Sequence, residues 1–193
     1  MPNPPRCPWA VDPWSVAYHD SEWGTPCHED RLLFELLILE GFQAGLSWLT
    51  ILKKRPAFQE AFDHFLPEKV AAYAPEKCRE LAENTQIVRN KSKIAAAVTN
   101  AQAFLQIQEE YGSFDAYIWS FTNGNPVLNN WQLQSEVPAT SALSDKVSAE
   151  LKKRGFKFVG STIIYSYLGA IGVINDHLAS CPFNPVFQHT CCK

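Results

Sequence analysis

Apolar residues recur along this chain at helical rather than strand spacing. Ile94, Val98, Ala101 and Leu105 lie three or four positions apart within Lys91–Gln108, which places them on one face of an α-helix. Leu32 to Leu39 is apolar nearly all round, interrupted by Glu35, so a helix N-capped by Asp30 and running through Leu39 belongs in the core. Gly41 and Gly45 interrupt that pattern before a second short helix, which Pro56 stops after Arg55. Pro67 and Pro75, each followed by Glu, mark two further helix starts. Gly112-Ser113 breaks the chain before an aromatic run from Phe114 to Phe121. Thr122 to Ala139, with Asn-Gly-Asn-Pro and Val-Pro, reads as a long loop with room for a short hairpin. A helix from about Ser141 ends at Arg154 with Gly155 as its C-cap, and a last apolar helix covers Val159 to Val173. No alternating strand pattern or βαβ rhythm occurs. The expected fold is all-α, one domain over residues 1–193.

Composition narrows the class. A chain of 193 residues, 46% of them hydrophobic, builds a core without staples. Its net charge of −3 argues against a generic polyanion sponge but leaves room for a local basic face. The basic residues fall in three clusters: Lys53 to Arg55; Arg89, Lys91 and Lys93; Lys152 to Arg154 with Lys157. Taken singly, each is the solvated end of a helix. The N-terminus has no apolar signal-peptide region, and the longest apolar run is too short to span a bilayer. The expectation is an intracellular, cytoplasmic protein with no membrane partner, whose six cysteines are thiols or metal ligands.

Two constellations carry candidate chemistry. Cys7 and His19 near one terminus, with His177 and Cys181 near the other, offer four donors that suit one tetrahedral structural zinc ion clipping the ends together. If the last helix runs past Val173, the i, i+4 spacing of His177 and Cys181 puts both on one face. Cys27-His28, His189 and Cys191-Cys192 are competing donors. The second constellation is Glu40, set between Leu36-Leu37-Ile38-Leu39 and Gly41-Phe42. It is either a solvated helix-end carboxylate or a recognition group at the floor of a pocket. The rings nearby in sequence (Trp9, Trp14, Tyr18, Trp23 and Trp48) favour a pocket for a flat, cationic ligand. A weaker signal is Leu81 to Ile94, a helix, turn and basic helix start of the kind that binds phosphate, with Arg89, Lys91 and Lys93 in attendance. Gln86 stands where such a turn would carry glycine.

Cys7-Pro-Trp9, Ala17 to Gly24, Leu39 to Trp48, Leu151 to Gly160 and Asn175-Asp-His177 through Cys181 together resemble the 3-methyladenine DNA glycosylase I family, Tag-type enzymes of the helix-hairpin-helix superfamily. The resemblance covers nearly the whole chain. It implies a zinc snap from Cys7, His19, His177 and Cys181. It implies an adenine pocket with Glu40 on the base edge, Tyr18 beside it, and Trp9 and Trp48 as stacking walls. It further implies a monomeric, monofunctional enzyme that extrudes 3-methyladenine from alkylated double-stranded DNA, hydrolyses the N-glycosidic bond and leaves an abasic site and the free base. Leu46 is the candidate wedge for the vacated stack. The chain departs from the family pattern at Ser15, where a pocket tyrosine can stand, and at Gln86. Those departures motivate an alternative, a zinc-clipped module that binds damaged DNA without cutting it.

Overall fold

A computed structural model describes residues 5–185. Nine α-helices occur among them: α1 (Pro13–Ser21), α2 (Asp30–Gln43), α3 (Trp48–Ala61), α4 (Pro67–Ala71), α5 (Pro75–Glu83), α6 (Lys91–Tyr111), α7 (Phe114–Ser120), α8 (Ala142–Lys153) and α9 (Ser161–Ala170). The all-α expectation holds, with one addition. Two short strands, β1 (Val127–Leu128) and β2 (Ile174–Asn175), pair in parallel. No helix among the described residues is long and apolar enough to cross a membrane.

Helix α2 is the hub. Every residue from Leu33 to Phe42 is buried, because α3, α6, α7 and α9 all pack on it. It therefore shows no polar stripe, as a central helix should not. Three details differ from the sequence reading. Glu29 rather than Asp30 occupies the N-cap position of α2. The Asp30 carboxylate instead accepts hydrogen bonds from Phe114 N and Asp115 N, both at 2.8 Å, so it caps α7 across the fold. Pro56 does not end α3, which continues to Ala61. Phe58, on the far side of that proline, is fully buried against Phe42 and Phe62, and this packing outweighs the one backbone bond a proline removes.

The third difference lies at the end of the chain. Helix α9 stops at Ala170, so His177 and Cys181 lie beyond β2 in irregular chain and not on a helix. Gly172, at φ +72°, makes the turn that ends it. A side chain there would overlap the Thr25 carbonyl and the Pro26 nitrogen. That close approach is what docks the N-terminal segment: Cys27 N donates to Ile171 O at 3.0 Å and Gly24 N to Gly169 O at 2.9 Å. Gly45, at φ +81°, has open space where a Cβ would go. Gly172→Ala is expected to cost at least about 3 kcal/mol, lowering the melting temperature by roughly 10 °C. Gly45→Ala, strained in φ alone, should cost only about 1 kcal/mol in the same thermal melts.

Candidate functional site

Helix α2 carries Glu40 near its C-terminal end, and α3 starts at Trp48 after a turn. Trp9 enters from the N-terminal segment and Tyr18 from α1. These four residues, with Trp23, Gln43, Tyr165, Asp176 and the Val137-Pro138-Ala139 stretch, line one cavity of about 450 Å³. Its walls are rings at angles to one another: Tyr18 and Trp48 have centroids 5.4 Å apart at 57°, and Trp9 and Trp23 are 4.9 Å apart at 84°. Such a space admits a planar group between aromatic faces.

Glu40 is 4% exposed, and its carboxylate has no hydrogen-bond or ion-pair partner among the described residues. Burial without donors pushes its carboxyl up to about 8. Tyr18, also buried, has its phenol pushed well above the usual range, first by burial and then by the neighbouring Glu40. The contrast with Glu35 on the same helix is instructive. Glu35 is fully buried too, but Arg55 Nε at 2.6 Å, Gln59 Nε2 at 2.8 Å and Arg31 at 3.2 Å satisfy it. The fold supplies cations where a buried carboxylate is structural. At Glu40 it supplies none.

Beside the cavity, Cys7, His19, His177 and Cys181 converge, all buried, with their ligand atoms within 4.8 Å of one another. Cys181 Sγ lies 3.5 Å from both His19 Nε2 and His177 Nδ1, and Cys7 Sγ lies 3.8 Å from His177 Nδ1. Tetrahedral bonds of about 2.3 Å to sulfur and about 2.0 Å to nitrogen would set S···N edges near 3.6 Å. The donor set thus has the chemistry and the spacing to hold one metal ion. The outer nitrogens are also engaged. His19 Nδ1 faces Asp20 at 2.8 Å, itself held by Arg6, and His177 Nε2 faces the Trp23 carbonyl at 3.0 Å. Each ring therefore turns its lone pair inward. Of the competing donors, Cys27 and His28 stand apart, with His28 bonded to Asp115 at 2.8 Å. His189, Cys191 and Cys192 lie outside the described residues.

The remaining sequence-derived residues divide. Leu46 is 39% exposed on the turn between α2 and α3. Arg89 and Lys91 are exposed at the start of α6. Lys93 is not a phosphate ligand in this fold: it is 7% exposed, and its Nζ donates to Phe42 O at 2.8 Å and Ala44 O at 2.6 Å, covering the last carbonyls of α2. Ser15 is buried and bonded to Asp12 at 2.5 Å, and neither it nor exposed Trp14 lines the cavity. The turn around Gln86 needs no glycine, because no residue in 84–90 has a positive φ and Asn84 Oδ1 binds Gln86 N at 2.9 Å instead.

Other residues were missed as site components. Tyr165 and Asp176 reach the cavity from α9 and from beyond β2, which no local spacing announces. The turn joining α8 and α9 exposes Lys157 and Phe158 side by side, Phe158 at φ +54°. Asn100, buried on α6, fixes that turn by bonding both Lys157 N at 2.8 Å and Lys157 O at 3.0 Å. Lys157 was legible as part of the basic cluster with Lys152 to Arg154, whereas the positive φ of Phe158 shows only in three dimensions.

Residues 9–184 match the methyladenine glycosylase family. The chain is 46% identical over 177 residues to DNA-3-methyladenine glycosylase 1 of Escherichia coli, covering 91% of this chain and 95% of that protein. Its structure is similar to a crystal structure of 3-methyladenine DNA glycosylase I, with a TM-score of 0.91, 44% identity, and coverage of 94% of this chain and 100% of that one. A Staphylococcus aureus 3-methyladenine DNA glycosylase I, solved for its recognition of 3-methyladenine, superposes with a TM-score of 0.90 at 40% identity, over 93% of this chain and 96% of that one. This helical chain, with its ring-walled cavity built over Glu40, belongs to the methyladenine glycosylase family.

Proposed function

We propose that this protein is a monofunctional DNA glycosylase that removes 3-methyladenine from alkylated DNA, leaving an abasic site. The observation that carries the reading is Glu40, a buried carboxyl with no protein partner at the wall of an aromatic cavity. Methylation at N3 gives the adenine of a nucleotide a positive charge. A cation of that shape supplies the partner that Glu40 lacks, while Trp9, Trp48 and Tyr18 offer their faces to its ring. Glu40 then reads the N6/N7 edge of the base. The family membership supports the same substrate, since the relatives are named for it.

Little acid catalysis is needed. When the bond from C1′ to N9 breaks, its electron pair neutralises the base. The sugar carbon takes water, which loses its proton to solvent. What the protein contributes is extrusion of the nucleotide and tight placement of the base. Leu46 is the residue we assign to fill the vacated stack, a role supported by its exposure on the turn that leads to Trp48. Arg89 and Lys91 on the hairpin between α5 and α6, with Lys157 on the turn after α8, supply the phosphate contacts to double-stranded DNA. The alternative of a non-catalytic binding module drew on Ser15 and Gln86. Ser15 lies within α1 and donates to Asp12, the N-cap of that helix, and Gln86 sits in a turn that has no need of glycine, so neither departure touches the cavity.

Cys7, His19, His177 and Cys181 would hold a structural zinc ion, which supplies cross-linking and no chemistry, since four protein donors leave no open position. That clip orders the rings it touches. His19 meets Trp9 at 5.2 Å and His177 meets Trp23 at 4.6 Å.

The wild type is expected to release 3-methyladenine from methylated duplex DNA, followed by chromatography of the freed base. Glu40→Gln should slow release about 100-fold and Trp48→Ala at least about tenfold, and unchanged release by both would contradict the assignment. Protein purified without chelator should carry about one zinc per chain. Cys181→Ser should lose that zinc and melt several degrees lower, whereas metal-free wild type of undiminished stability would reject the clip.

A further inference from the structure

The cavity holds a second buried carboxylate that the reading above leaves without a task. Asp176, 4% exposed, follows β2 and lines the same cavity as Glu40. Its surroundings are the reverse of Glu40's. Asp176 Oδ1 accepts from Asn129 Nδ2 and from Trp131 Nε1, each at 2.7 Å, and Oδ2 accepts from the Tyr165 hydroxyl at 2.7 Å. An amide N–H and an indole N–H can only donate, so the oxygen between them is an acceptor. Tyr165, itself in the cavity wall, keeps its proton: burial first, and its bond to Asp176 second, hold the phenol above its ordinary range.

No Lys, Arg or His side chain pairs with Asp176 among the described residues. Three neutral donors therefore stabilise its negative charge without cancelling it. In a cavity partly walled by rings, such a charge acts over a longer distance than on the surface. Glu40, with no donors of its own, is poorly placed to carry a charge in the ligand-free protein.

We propose that Asp176 is a specificity-determining residue of the cavity, whose uncancelled charge selects bases bearing a positive charge, while Glu40 reads the base edge. This division of labour rests on the glycosylase reading. It accounts for two carboxylates in one pocket with opposite hydrogen-bonding environments. It also accounts for the attachment of Asp176 to both the Asn129–Trp131 loop and α9, which fixes the charge in place.

Asp176→Asn tests this, because an amide keeps the size and can satisfy all three neighbours while removing the charge. Two probes separate charge from shape: 3,9-dimethyladeninium, a permanent cation resembling the nucleotide-bound lesion, and free 3-methyladenine at pH 8, where it is neutral. Asp176→Asn is expected to weaken binding of the cation at least about tenfold and of the neutral base by less than about threefold, with melting temperature and metal content unchanged. Tyr165→Phe, which keeps the charge and removes one donor, should lose much less affinity for the cation. Equal losses for both probes, or no loss for the cation, would overturn the proposal. A wild type that binds neither probe would contradict the glycosylase reading itself, and the proposal with it.

Discussion

A buried carboxyl without a protein partner is the constraint around which this molecule is arranged. Glu35 and Glu40 sit five residues apart on α2, both removed from water. One is saturated by Arg55, Arg31 and Gln59, and the other has nothing. Leaving an acid in that condition costs folding free energy, because burial disfavours its charged form. The cost is sustained by the packing of α2 on all sides and by Lys93, whose ammonium covers the carbonyls at the end of the helix. An instability held this firmly at a cavity wall is what a binding site for a complementary charge requires.

The Cys/His cluster serves the same end from outside. It draws residues 7 and 19 against 177 and 181, the two ends of the described chain. Its histidine rings pack edge-on against Trp9 and Trp23, two of the rings that line the cavity. Gly172 allows the segment around Thr25 to lie directly on the turn after α9. Closing the chain and building the aromatic wall are therefore one operation.

Much of this was legible in the sequence, and the exceptions share a cause. Helical spacing located α6, and proline followed by Glu located the starts of α4 and α5, because those signals are local. Glu40 was legible because its neighbours are apolar on both sides; the four Cys and His donors stood among competitors of the same types, and the family resemblance rather than spacing singled them out. Asp30 was misread as the cap of its own helix, since nothing nearby in sequence shows that the start of α7 lies against it. Lys93 looked like a phosphate ligand because the sequence shows its charge but not the carbonyls of α2 beneath it. Asp176 was absorbed into the metal motif, and its place in the cavity depends on contacts with Asn129 and Trp131, more than forty positions away. Tertiary partners, not local propensity, decided each of these.

The central claim is that Glu40 waits for a cation, and its own titration tests that most directly. Carbon-13 NMR of the side-chain carboxyl, assigned with Glu40→Gln, should show a pKa near 8 in the ligand-free protein. Burial then keeps the acid protonated at neutral pH, and the carboxylate emerges only as pH rises through that value. Adding 3,9-dimethyladeninium should lower the pKa, because the cation favours the charged form. A free-protein pKa near the ordinary 4.5, unmoved by the cation, would contradict the account.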